Sequence, residues 1–218
     1  MNIINQLLDI FFHLDTHLNA WAGVMGPWLY VLLFAIIFAE TGLVVTPFLP
    51  GDSLLFAVGA LSATQGSPLR VGWILFLLAT AGLVGNWVNY IIGYKVGPKV
   101  FSSEESKIFN KQYLFKAQEF YERYGGRAIV LARFVPIIRT FAPFVAGIGK
   151  MTFFRYSIYN LVGTVAWVFL FVLSGYYFGN LAYIRRNFQF VIIVIIIISV
   201  MPAVIEYWKE KRKAAAAK

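Results

Sequence analysis

The sequence has no cysteine, so it can form neither a disulfide framework nor a metal site built on thiolates. Its two histidines, His13 and His17, have no evident third ligand, and we predict no metal and no other cofactor. Charged residues make up only 13% of the chain, whereas about a quarter is usual in a soluble domain. Because 60% of the residues are hydrophobic, polar groups could not cover the surface. The composition therefore predicts a membrane protein whose outer solvent is lipid.

Basic residues are missing from the first part of the chain, where no Lys or Arg precedes Arg70. The formal net charge is nevertheless +9, because Lys and Arg collect at 94–127 and at the C-terminus. In membrane proteins such residues gather in cytoplasmic loops, and no basic stripe with interleaved stacking aromatics lies outside the apolar segments. The pattern favours a multi-pass membrane protein with a cytoplasmic C-terminus and no nucleic-acid partner.

The apolar runs predict one membrane domain over residues 1–218 with an all-α fold. In chain order we expect an interfacial amphipathic helix at 1–22, a re-entrant hairpin at 28–63, a transmembrane helix at 71–92, a cytoplasmic amphipathic segment at 94–127, a second re-entrant hairpin at 128–149, transmembrane helices at 153–178 and 188–208, and a basic tail at 209–218. Counting spans back from a cytoplasmic tail puts the N-terminal helix at the outer interface.

The two interrupted segments contain proline and glycine where a spanning helix would be continuous. Trp28–Ala39 is too short to span, and Ser53–Ala63 is a second short run. We interpret this pattern as a re-entrant hairpin, because irregular backbone at membrane depth needs protein or a wet cavity around it. One long kinked helix, or two full spans with a tight turn, also fits. The residues expected to break the helices and to line a cavity are Thr46, Pro47, Pro50, Gly51, Pro136 and Pro143.

The two interrupted segments also resemble each other. Glu40 and Pro50 are ten residues apart, as are Arg133 and Pro143. Each segment is followed by an apolar run that contains Leu-Val-Gly and ends in Gly-Tyr-x-x-Gly, and the second run is four residues longer between these marks. By the predicted topology the two units face opposite sides of the membrane. Inverted repeats with broken helices are typical of alternating-access transporters, which bind substrate near the bilayer midplane.

Ionisable residues interrupt both segments. They are Glu40, Asp52, Arg133 and Arg139. A charge at the membrane centre costs roughly 2.5–3.5 kcal/mol on insertion scales, so these residues are expected to face the protein interior and to pair. The cluster could be only a structural latch, but arginine forks suit phosphate and buried acids suit proton exchange. Asn86 and Asn89 are candidates either for polar groups of a cavity or for helix packing.

Two stretches around these residues are distinctive: FAETGLVVTPFLPGDSL at 38–54 and LARFVPIIRTFAPFVAG at 131–147. They resemble the DedA family of bacterial inner-membrane proteins, which shares its membrane fold with the VTT (SNARE-associated) group. The resemblance covers nearly the whole chain and implies two inward-pointing re-entrant hairpins, with essential acids and arginines at the four positions above. In a bacterial inner membrane, the outer interface that the span count predicts for the N-terminal helix is the periplasmic one. The chain departs from the family at Asn86, where many members carry Asp, and at Tyr94, where Arg is frequent.

The residues suit proton-coupled movement of an anionic group, and the resemblance implies a proton-motive-force-coupled secondary transporter, a flippase of polyprenyl (undecaprenyl) phosphate for lipid-carrier recycling in cell envelope synthesis. Arg133 and Arg139 would bind the phosphate, and Glu40 and Asp52 would exchange protons. The alternative is a proton-coupled antiporter of small cations or drugs, involved in envelope and pH homeostasis. We expect no enzymatic activity, because the apolar segments lack a histidine nucleophile and clustered acids for Mg²⁺. The exact lipid, the direction, the proton stoichiometry and the oligomeric state, including a homo-oligomer, are left open by the sequence.

Overall fold

The computed structural model describes residues 20–43, 51–100, 125–187 and 190–195, apart from residues 22 and 192. Within these ranges the chain is helical and contains no β-strand. The helices are α1 (Trp28–Gly42), α2 (Gly51–Ser62), α3 (Val71–Val100), α4 (Arg127–Ala132), α5 (Pro136–Ile148), α6 (Phe153–Phe178) and α7 (Ala182–Arg186). The predicted all-α class is confirmed.

Two of the described helices, α3 and α6, are long and apolar enough to cross a membrane. Each has an apolar stretch of 26 residues, Val71–Val96 and Phe153–Phe178. At a rise of 1.5 Å per residue, such a stretch is about 39 Å long, which exceeds a hydrocarbon core of about 30 Å. The bounds of α6 are those predicted, whereas α3 continues past the predicted end of its span at residue 92.

The first interrupted segment forms two helices that are each too short to span, α1 with 15 residues and α2 with 12. Helix α1 ends at Gly42, and Leu43 after it is extended, with φ −97° and ψ 118°. One continuous kinked helix over 28–63 is therefore wrong. Residues 44–50, which include Thr46, Pro47 and Pro50, lie outside the described part of the chain.

The second interrupted segment is broken between α4 and α5. Val135 is extended, with φ −121° and ψ 104°, and Pro136 is the first residue of α5. Both features follow from proline chemistry, because a residue before proline avoids the helical conformation and proline fits the first helical position. The expectation that Pro143 also breaks the helix is wrong, since it lies inside α5. Its missing N–H leaves the Arg139 carbonyl oxygen without the usual helical donor.

The short helices pack reciprocally on the two long ones. Helix α3 packs against α1, which precedes it, and against α5 from the second half of the chain. Helix α6 packs against α4, which belongs to its own half, and against α2 from the first half. The two long helices also contact each other. Each long helix is thus flanked by the first short helix of its own half and the second short helix of the other.

Glycines allow close approach at the contact between α2 and α6. A Cβ atom on Gly175 would overlap the carbonyl oxygen of Phe56, and one on Gly59 would overlap the carbonyl oxygen of Val172. Small residues that let helix backbones touch are typical of packing inside membranes, where burial of apolar surface drives association less strongly.

The contact between α3 and α5 has the same arrangement. A Cβ atom on Gly93 would overlap the Phe144 carbonyl oxygen, and one on Gly147 would overlap that of Tyr90. The motif Phe-x-x-Gly occurs at 56–59 in α2 and at 144–147 in α5. The first glycine of each Gly-Tyr-x-x-Gly motif, Gly93 in one and Gly175 in the other, therefore makes an equivalent contact.

These contacts change one detail of the repeat. When the two Phe-x-x-Gly motifs are aligned with each other, Gly51 in the first half corresponds to Arg139 in the second. Pro50 and Pro143 are therefore not equivalent, although each lies ten residues after a charged residue. In the first half Pro50 directly precedes the start of α2, whereas in the second half Pro143 lies inside α5.

The outward-facing surfaces of the described helices remain apolar. Large side chains such as Trp28, Phe76, Phe154, Val162 and Tyr177 are more than half exposed. Helices that are apolar on all sides are typical of membrane spans. The predicted segments at 1–22, 94–127, 188–208 and 209–218 lie largely or entirely outside the described residues and stay predictions.

Candidate functional site

Arg139 joins the two interrupted segments through ion pairs with two acids. Its Nη2 donates to Oε1 of Glu40 at 2.6 Å, and its Nη1 donates to Oδ1 of Asp52. Glu40 lies in the last turn of α1, Asp52 in the first turn of α2, and Arg139 near the start of α5. All three side chains are buried. Both acids and one of the two predicted arginines thus meet in one cluster.

The local structure of α1 and α2 makes room for this cluster. A Cβ atom on Gly51 would overlap the Glu40 carboxylate, so only glycine lets the acid lie against the start of α2. Asp52 is in the first turn of α2, where the helix dipole favours negative charge. Gly51 therefore supports the cluster by its lack of a side chain.

Trp167 of α6 completes the surroundings of the ion pairs. Its indole Nε1 donates to Oδ1 of Asp52 at 2.8 Å. Its ring also lies beneath the Arg139 guanidinium, with 4.7 Å between Cζ and the ring centroid, which is a cation–π contact. The side chain is fully buried. Trp167 is thus the shared neighbour of a carboxylate and of the arginine that binds it.

Arg133 is held differently from Arg139. Its Nη2 donates to the amide oxygen of Asn160 at 2.6 Å, and among the described residues it forms no ion pair with an acid. Its Nη1 is buried without a hydrogen-bond partner in this part of the chain. We expected the two acids to pair with the two arginines, but among the described residues both acids form their ion pairs with Arg139.

Asn89 and Asn86 lie close to the cluster on α3. The Asn89 amide nitrogen donates to the carbonyl oxygens of Thr41 at 3.1 Å and of Thr140 at 2.9 Å. It therefore joins the end of α1 to α5. The Asn86 amide nitrogen donates to the Gly82 carbonyl of its own helix. Of the two asparagines proposed for the cavity, Asn89 holds the elements of the site together.

Comparison with known proteins identifies the family. A VTT domain is recognised at residues 49–177, which include Asp52, Arg133 and Arg139. The chain is 49% identical to protein DedA of Escherichia coli K12 over 217 residues, covering 100% of this chain and 99% of the relative. The chain belongs to the DedA family of membrane proteins. The resemblance at 38–54 and 131–147 is thereby confirmed.

Two other relatives are less similar in sequence. The uncharacterized membrane protein Rv0364 of Mycobacterium tuberculosis H37Rv is 39% identical over 183 residues, covering 84% of this chain and 80% of the relative. Inner membrane protein YqjA of E. coli K12 is 29% identical over 220 residues, covering 97% of this chain and 98% of the relative. No solved structure matches the chain. The relatives' names agree with the membrane location predicted from composition.

Five buried polar atoms around the cluster have no hydrogen-bond partner among the described residues. They are Oε2 of Glu40, Oδ1 of Asn86, Oδ1 of Asn89, Nη1 of Arg133 and Nε of Arg139. Buried polar groups are usually paired, so buried donors and acceptors without a described partner are candidates for contact with a ligand, water or an exchangeable proton. No group of three His, Cys, Asp or Glu side chains suited to a metal occurs in this part of the DedA-family chain.

Sequence reasoning missed Asn160 and Trp167 as members of this site. Both lie on α6 with Thr164, at a spacing of four and three residues that puts them on one helix face. A polar stripe within an otherwise apolar span is the signal that could have indicated them. The residues that these polar side chains contact, however, become apparent only from the packing of α6 against α2 and α4.

Proposed function

We propose that this DedA-family protein is a proton-motive-force-coupled secondary transporter that moves polyprenyl phosphate from the outer to the inner leaflet. The observation that carries the proposal is Arg133, a buried guanidinium with a neutral amide on one nitrogen and no partner on the other among the described residues. A buried cation with an N–H group available for bonding favours an anion as its ligand. Phosphate fits, because its oxygens accept two parallel bonds from a planar guanidinium.

Arg139 and the two acids supply a route for proton coupling. Two carboxylates and two guanidiniums sum to zero charge, so an arriving phosphate makes the buried site negative. A proton taken up by Glu40 or Asp52 restores neutrality and frees one arm of Arg139 for the phosphate. A monoanion requires one such proton and a dianion two. Carrying one charge across the membrane costs about 2.3 kcal/mol per 100 mV, and co-transported protons offset that cost.

The membrane topology that accompanies this function is two re-entrant hairpins in inverted repeats. The reciprocal packing of the short helices and the matching glycine contacts support it. The isoprenoid tail would stay in lipid while only the phosphate enters the protein. The repeat would present the site in turn to each side.

Single cysteines test the topology on a background without native thiols. Gln65→Cys and Gly149→Cys are suitable because both positions are exposed in the turns that precede α3 and α6. In intact cells an impermeant maleimide should label position 65 and reach position 149 only after permeabilisation. Equal labelling of both positions before permeabilisation would rule out the proposed orientation.

Competition binding to the purified full-length protein tests the proposed substrate. Labelled polyprenyl phosphate should bind, unlabelled polyprenyl phosphate should displace it, and polyprenol should displace it at least about ten-fold less well because it lacks the charged group. Equal competition by polyprenol would reject phosphate recognition. Release of inorganic phosphate during the incubation would instead indicate an enzyme.

A cation antiporter is the second candidate, and one observation favours it. Arg139 lies between Glu40 and Asp52 as their shared counter-ion, which is the arrangement expected if the acids bind the transported cation and the arginine only tunes them. A cationic dye such as ethidium would then compete with protons for the acids. Binding of ethidium that depends on both acids, without binding of polyprenyl phosphate, would favour the antiporter.

A further inference from the structure

The two buried arginines have partners of different charge. Arg139 contacts two carboxylates, whereas Arg133, which is only 2% exposed, contacts the neutral amide of Asn160. A buried cation is ordinarily paired with an acid, because an uncompensated charge in low dielectric is unfavourable. An amide in this place therefore needs an explanation beyond packing.

The hydrogen bonds of Asn160 define its orientation. Its Oδ1 accepts from Nη2 of Arg133 and, at 3.1 Å, from the hydroxyl of Thr164. Its Nδ2 points the other way and donates to the Leu83 carbonyl oxygen of α3 at 3.4 Å. Since one side of the amide accepts twice and the other side donates, the oxygen must face Arg133.

The same helix face keeps Arg133 close to Asn160. A Cβ atom on Gly163 would press against Cγ of Arg133, so the absence of a side chain there lets the arginine lie along α6. Asn160 itself is fully buried. No described acid lies in hydrogen-bond contact with Arg133, so the amide positions the guanidinium without cancelling its charge.

We infer that Asn160 is a positioning residue that sets the charge of the substrate site: it holds Arg133 in place and leaves its positive charge available for a phosphate group. The inference rests on the proposed function and adds a specific requirement to it. An aspartate at position 160 would have nearly the same shape and would bind Arg133 more strongly. It would nevertheless occupy and neutralise the cation that the anion needs.

The test compares Asn160→Asp with Asn160→Ala in the purified full-length protein, using labelled polyprenyl phosphate. If Asn160 sets charge, Asn160→Asp should bind roughly ten-fold or more weakly than wild type, and Asn160→Ala should lose less because it adds no negative charge. A purely structural role predicts the reverse order, because both variants lose the long bond to the Leu83 carbonyl, but Asp still fills the space and bonds to Arg133, whereas Ala does neither. The order of the two affinities therefore decides.

Asn180→Asp is the matched control for the chemical change. The exposed Asn180 donates its amide to the Ala60 carbonyl at 2.9 Å, and the described hydrogen bonds of the two arginines do not include it, so this variant should bind like wild type. Thermal unfolding of each variant checks that it is folded. Should Asn160→Asp fail to fold, Asn160→Glu against the neutral Asn160→Gln compares a carboxylate with an amide of the same shape at the same position.

The outcomes separate the inference from the function on which it rests. Binding by wild type with an Asn160→Asp affinity equal to or above that of Asn160→Ala overturns the role of Asn160 alone. A wild-type protein that binds neither polyprenyl phosphate nor inorganic phosphate overturns the proposed function and this inference together.

Discussion

Replacing Arg139 with methionine should lower the free energy of unfolding by about 3–5 kcal/mol, because removing one partner of a buried ion pair leaves the other uncompensated. Here the substitution removes the positive charge that compensates two buried carboxylates, those of Glu40 and Asp52. The cation–π contact with Trp167 is lost as well. Denaturant unfolding in detergent, followed by circular dichroism, measures the change.

The matched variant neutralises both acids in the same chain. In Glu40→Gln/Asp52→Asn/Arg139→Met no buried charge of the ion pairs remains, so most of the lost stability should return. The amide oxygen at position 52 can still accept from the Trp167 indole. This triple variant should fold yet carry out no proton-coupled transport, because it has lost the titrating groups. A triple variant as unstable as Arg139→Met alone would show that the charge balance is not what holds the cluster together.

Arg133→Lys should weaken the binding of polyprenyl phosphate by roughly ten- to a hundred-fold, the equivalent of one charge-assisted hydrogen bond. The arginine uses one nitrogen for Asn160 and has a second one, Nη1, without a partner among the described residues. A lysine has a single side-chain nitrogen, so it cannot bind Asn160 with one nitrogen and the phosphate with a second one held in the same plane. The variant should remain folded, because the ammonium can still bond to the Asn160 oxygen.

Arg139→Lys should be impaired in binding as well, since one ammonium cannot match the two separate nitrogens that reach Glu40 and Asp52. Equilibrium binding of polyprenyl phosphate to both lysine variants, with polyprenol as the uncharged control, measures the effect. Affinities within about two-fold of wild type in both variants, well below the loss expected for one such bond, would remove these arginines from the substrate site. The arginines would then be structural or counter-ion residues, and the antiporter would become the better proposal.

The sequence alone determined the class of protein, the family, the positions of the helix breaks near residues 42–51 and 133–136, and the burial of four charged residues within apolar segments. These features are readable because they depend on composition and local chemistry: apolar length, proline before a helix, and the cost of a charge in lipid. The sequence also indicated corresponding glycines in the two halves, and the structure places Gly93 and Gly175 of these in close contacts between helices.

Only the tertiary structure decided how the charges are shared. Arg139 meets Asp52 across 87 residues of sequence and Glu40 across 99, and Trp167 meets Asp52 across 115. No local sequence pattern indicates that Arg139 forms ion pairs with both acids while Arg133 bonds to the neutral amide of Asn160. Such pairings depend on which helix faces are brought within hydrogen-bond distance. In this chain that was decided by glycine contacts that pack α2 on α6 and α5 on α3, so partner identity arises from packing geometry rather than from local sequence.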